Sequence, residues 1–83
     1  MSSTLDPPFQ VITNLVVNMT QVDPSKIRRS SRLIDFGLDS VRAMELIAEL
    51  EDHYDLSIPD EDVMEIETVD DIARYIDRRR SQS

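Results

Sequence analysis

Apolar positions along this chain fall into helical stripes separated by polar, proline-marked connections. Phe9, Ile12, Leu15, Val16 and Met19 recur at three- and four-residue spacing, which predicts an amphipathic helix with one buried face. Val11 and Val17 fall off that stripe. Asp6-Pro7-Pro8 supplies a start, with Asp6 as cap and Pro7 in the first turn, where a missing N–H does no harm. Pro24 biases Asp23 away from helical ψ, so this helix should end near residues 20–22. A second helix is predicted from Ser40 to Tyr54, with Leu46, Ile47 and Leu50 as its apolar face and Tyr54 extending it. Asp60 to Glu65 can form a short third helix carrying Val63 and Ile66. Thr68 with Asp71 makes a near capping box before the last helix. Val69, Ile72, Ala73 and Ile76 supply the inner face of that helix.

The connection from about Asp23 to Asp39 is long for a small domain, and long loops are often functional. It carries Ile27, Leu33, Ile34, Phe36 and Leu38, so it should lie on the core as it runs. It also carries the only glycine of the chain, Gly37, within Asp35-Phe36-Gly37-Leu38-Asp39-Ser40-Val41. Glycine is needed where φ is positive or where something approaches the backbone closely. A tight turn at Gly37 would present Asp39 and Ser40 at the N-terminus of the second helix. One reading makes Ser40 a plain N-cap. The other makes Asp39 the cap and Ser40 a modified serine, because free N–H groups and the helix dipole favour an attached phosphate.

A second stripe of the same helix interleaves Val41, Met44 and Ala48 with Arg42, Glu45 and Glu49. At about 100° per residue, positions 41, 44, 45 and 48 share one face. Val41 and Met44 are either core or an exposed apolar patch with an acidic rim. The latter suits a partner interface, since methionine adapts to several surfaces. Charge supports the latter. Fourteen of the 17 acidic residues lie between Asp35 and Asp71, where Arg42 is the only basic residue, and the net charge is −8. Such a surface steers toward basic patches on proteins and disfavours nucleic acid and anionic membrane. The basic run Arg78-Arg79-Arg80 reads as support for the negative end of the last helix rather than as a nucleic-acid site.

The 83 residues allow one small domain, expected at residues 6–80 between disordered ends at 1–5 and 81–83. No cysteine is present, so there is no disulfide, thiolate metal site or internal thiol nucleophile. No apolar run is long enough to span a bilayer and no secretion signal is seen, which makes the cytoplasm the expected location. Catalysis is not expected. His53, the only histidine, would sit about 20 Å from Ser40 along one helix, and its neighbours Asp52 and Tyr54 should not approach it on one face. No calcium loop, phosphate loop or zinc spacing appears, and Asp60-Glu61-Asp62 reads as a first-turn cluster favoured by the dipole.

The Asp35–Val41 segment resembles the 4′-phosphopantetheine attachment motif of acyl carrier proteins, in which an Asp-Ser pair is followed by Leu, Val or Ile. Leu56-Ser57-Ile58-Pro59-Asp60-Glu61-Asp62 is similar to that family's loop into its short third helix, and Thr68 to Ile76 to the start of its last helix. The resemblance implies an all-α, four-helix bundle with three main helices, one short helix and a long first loop. It implies that Ser40 carries 4′-phosphopantetheine taken from coenzyme A, within a motif of Asp35, Gly37, Leu38, Asp39 and Val41. It implies a monomeric, non-catalytic carrier that holds acyl or aminoacyl groups as thioesters. The partners implied are a phosphopantetheinyl transferase, an adenylating ligase or acyltransferase that loads the arm, and a downstream synthase or transferase. Val41, Arg42, Met44, Glu45, Ala48 and Glu49 would form the docking face. Arg42 departs from typical fatty-acid carriers, and residues 33–42 are also similar to aryl and aminoacyl carrier domains of nonribosomal peptide assembly. The expectation is therefore a freestanding carrier in polyketide or hybrid polyketide/nonribosomal peptide biosynthesis. The alternatives are a primary fatty-acid carrier, or an acidic helical adaptor with no prosthetic group.

Overall fold

The computed structural model describes residues 7–81, and within them the chain forms four α-helices and no strands. Helix α1 spans Pro7–Thr20, α2 Ser40–Tyr54, α3 Asp60–Val63 and α4 Val69–Ser81. The expected cap Asp6 and the expected disordered segments 1–5 and 82–83 lie outside the described residues. Ser81 is a correction: it is the last residue of α4, not the first of a tail.

Each main helix buries the face its periodicity marked. Ile12 and Val16 of α1, Leu46 and Leu50 of α2, and Val69, Ile72, Ala73 and Ile76 of α4 are fully enclosed. Val11 and Val17, off the stripe, are half-buried and still touch the core. Tyr75 is also buried, which the stripe did not predict. α1 stops at Thr20 because Gln21 turns left-handed at φ 66°, while Thr20 Oγ1 donates back to the Val16 carbonyl at 2.8 Å. α2 ends at left-handed Asp55, where the Leu56 N–H donates to the Glu51 carbonyl at 3.1 Å and satisfies one of its last free acceptors. α3 is shorter than expected and gives way to a turn at Met64–Glu65.

The capping box before α4 forms as its spacing predicts. Asp71 N–H donates to Thr68 Oγ1 at 3.1 Å, and Asp71 Oδ2 accepts from the Thr68 and Glu67 N–H groups at 3.0 and 2.9 Å.

The connection between α1 and α2 contains two 3-10 turns, Pro24–Lys26 and Leu33–Phe36. Asp23 caps the first by accepting from Ser25 N–H at 2.9 Å. Ile27, Leu33 and Leu38 are buried and Phe36 half-buried, as expected. Ile34 is the exception, 55% exposed, because a 3-10 turn rotates about a third of a circle per residue and Leu33 takes the inward direction. The connection is stitched to the start of α4. Leu33 N–H donates to the Glu67 carbonyl, and the Val69 and Asp70 N–H groups donate to the Ser31 and Arg29 carbonyls, at 2.8–3.0 Å. Arg29 Nε adds a 2.9 Å contact to Asp70. These bonds deliver the chain to residue 37 from a fixed base.

Candidate functional site

Gly37 closes the second 3-10 turn at φ 82°, and its N–H donates to the Ile34 carbonyl at 2.9 Å. A Cβ there would meet nothing within 4 Å, so glycine is required by backbone conformation and not by crowding. Leu38 follows, 2% exposed, and pins the chain to the core. Asp39 is extended, and its Oδ1 accepts from the Arg42 N–H at 3.0 Å. Asp39 is therefore the N-cap of α2, and Ser40 is the first helical residue. Of the two readings of Ser40, the structure assigns the cap to Asp39. Ser40 is exposed, and its hydroxyl has no hydrogen-bond partner among the described residues. Asp35 is exposed on the preceding turn.

Val41 is 67% exposed and Met44 48%, so they do not belong to the core. Ala48, Glu45 and Glu49 are exposed beside them on α2. Arg42 is differently engaged. Its guanidinium donates to the Met19 carbonyl at 2.9 Å, at the last turn of α1, and lies 3.5 Å from Glu45. That bond satisfies a helix-end acceptor and ties the first turn of α2 to the end of α1.

Beside Ser40 lies a cleft of about 410 Å³, lined by Leu33, Ile34, Leu38, Ala43 and Met44 on one side and Val63, Met64 and Ile66 on the other. Sequence reasoning missed this cleft. Ile34 and Met64 sit in segments too short to show a period, and Met64 is 83% exposed. The signal available was only that both are large apolar residues outside the three main helices.

His53 stands at the other end of α2 from Ser40. Its ring does meet Tyr54, edge to face with centroids 4.9 Å apart, contrary to expectation: adjacent side chains at a helix end can fold toward each other. No cluster of metal-ligating side chains is present among the described residues. None of the described helices is long and apolar enough to cross a membrane.

Residues 10–76 match the family model described as "Phosphopantetheine attachment site". The chain is 36% identical over 69 residues to an acyl carrier protein of Bdellovibrio bacteriovorus, covering 82% of this chain and 88% of that one. It is 36% identical over 73 residues to one of Wolinella succinogenes, covering 87% and 96%. A third, from Campylobacter concisus, is 31% identical over 71 residues, covering 84% and 92%.

Proposed function

The chain belongs to the phosphopantetheine-attachment family, and on that premise we propose that it is an acyl carrier protein whose arm is attached at Ser40. It carries rather than catalyses, and its prosthetic group is 4′-phosphopantetheine. The residues present fit that group. Asp39 takes over the capping of α2, which leaves the Ser40 hydroxyl exposed and unpaired at a helix N-terminus suited to a phosphate. That division of roles is the observation on which the proposal rests. When bound, the arm supplies the terminal thiol that this cysteine-free chain lacks.

The chain's own part is presentation. Gly37 and Leu38 set the turn, Asp39 starts the helix, and Val41, Met44 and Ala48 offer an apolar contact rimmed by Glu45 and Glu49. A partner enzyme that engages this face would be basic and would exchange quickly. Arg42 is the internally engaged member of the docking face: its guanidinium is shared between the Met19 carbonyl and Glu45.

The reading as a freestanding carrier is supported by relatives that this chain matches over most of their length. The polyketide or hybrid pathway rested on Arg42 and on the likeness of residues 33–42 to aryl and aminoacyl carrier domains, and of these Arg42 is the ground the structure weakens. Its bond to the Met19 carbonyl now gives arginine an intramolecular reason to be there, so primary fatty-acid synthesis stands beside the specialised pathway. The test is intact mass after incubation with coenzyme A, magnesium and a broad-specificity phosphopantetheinyl transferase. One phosphopantetheine should add to the protein and none to Ser40→Ala. No addition to folded protein would leave the acidic adaptor as the better reading.

A further inference from the structure

The α3 side of the cleft has little of its own to hold it in place. α3 is four residues long, has no buried residue, and starts at Pro59 without a side-chain cap. Val63 and Ile66 are only half-buried. A helix this short does not persist on propensity. Val63 and Ile66 both pack against the core and Ile58, just before α3, is buried, but most of the polar contacts that fix α3 come from α4. Tyr75 Oη donates to Asp62 Oδ2 at 2.6 Å. Arg79 donates to Tyr75 Oη at 2.9 Å and to the Ser57 carbonyl at 2.7 Å. The Arg79 and Arg78 guanidinium groups lie 5.6 and 5.7 Å from the centre of the Tyr75 ring. The Ile58 N–H, just before α3, donates to Glu51 at 2.7 Å. The phenol therefore relays from an arginine to a carboxylate, and each bond involves a charged group, the stronger class. Burial first, and the bond to Asp62 second, push the Tyr75 hydroxyl above its usual range, so it keeps its proton at neutral pH.

We propose that Tyr75, Asp62 and Arg79 are positioning residues for the cleft beside Ser40. They hold α3 at a fixed distance from α2, and through it Val63 and Met64, and so select the size of the acyl group that lodges there. The cargo half of this inference rests on the carrier reading. The latch itself belongs to the protein without its arm.

Native-state hydrogen exchange on unmodified Tyr75→Phe is the test. Amides of Val63 to Ile66, all hydrogen-bonded in the structure, should exchange about tenfold faster or more. Amides of Ile12 to Val16 in α1 should stay within about twofold of wild type. Asp62→Asn keeps an oxygen that accepts from the phenol and should behave nearly as wild type, whereas Asp62→Ala should follow Tyr75→Phe. Unchanged exchange in residues 63–66 overturns the latch. Equal acceleration in α1 also overturns it, since the network would then support the whole fold. On protein loaded with butyryl- or dodecanoyl-phosphopantetheine, Tyr75→Phe should change the ratio of the two hydroxylamine cleavage rates. An unchanged ratio overturns the size selection. Failure of Ser40 to load, with fast α3 exchange in Tyr75→Phe, would refute the carrier reading and leave the latch standing.

Discussion

The two walls of the cleft are α2 and α3, and they hold their places by different physics. α2 is a 15-residue helix with Leu46, Ile47 and Leu50 buried, a side-chain cap at its start and a left-handed residue at its end. α3 has four residues, none of them fully buried; Val63 packs against the core, and polar contacts from α4, with one from Glu51 of α2 to the preceding Ile58, hold the rest. The wall that bears Ser40 is thus part of the core, and the facing wall is tethered to it. Apolar burial is non-directional and costly to undo, whereas a tether of three side chains can be released without unfolding the rest. Presentation of Ser40 and adjustment of the cleft are assigned to separate parts of the molecule.

The largest effect that tests this contrast comes from truncating each wall. Leu50→Ala removes a fully enclosed side chain and should cost about 2–5 kcal/mol in urea unfolding. Val63→Ala, on the half-buried wall, should cost about 1 kcal/mol or less. Equal costs would mean that α3 is as much core as α2. Exchanging Glu45 and Glu49 for Lys should slow loading by a transferase severalfold at low salt. It should shift stability by no more than about 0.5 kcal/mol, because both side chains are exposed. Loading rates that do not change at low salt would remove these residues from the docking face.

The smallest effect separates the α4 base from both walls. Burial raises the Asp71 carboxyl, but the Glu67 and Thr68 N–H groups, the Thr68 side chain and Arg74 outweigh it and hold the group below its usual range. A depressed carboxylate contributes stability that is complete above its unfolded value near 3.8 and is lost as pH falls through the folded value. Melting temperature should therefore drop as pH falls below about 4, and Asp71→Asn should flatten that part of the profile. An unchanged profile in the variant would assign the acid sensitivity to other carboxylates.

Which features were legible in the sequence follows from their range. The Gly37 turn, the Asp39 cap and the Thr68–Asp71 box are set by residues within four positions of each other; the turn and the box have their expected form, and the cap is one of the two readings the local sequence offered. The buried faces of α1, α2 and α4 were legible because a helical period repeats over several turns. The extent of α3 was not, since four residues complete barely one turn. The polar contacts that matter most join distant residues: Arg42 to Met19, Tyr75 to Asp62, Arg79 to Ser57. No local spacing announces them. Tyr75 was passed over because an aromatic ring with a polar tip suits either surface or core, and its partner lies 13 residues away.

The bond from Arg42 to the Met19 carbonyl closes the first connection into a ring, joined by covalent chain on one side and a 2.9 Å contact on the other. Lengthening a closed loop costs free energy only logarithmically, about 0.6 kcal/mol per doubling. The Pro24–Lys26 turn is exposed and lies upstream of the anchors at Ser31 and Leu33. A short tag or fluorophore-bearing insert at that turn would enlarge the ring without moving Ser40, and would give the carrier a reporter on a segment that none of the proposed partners must touch.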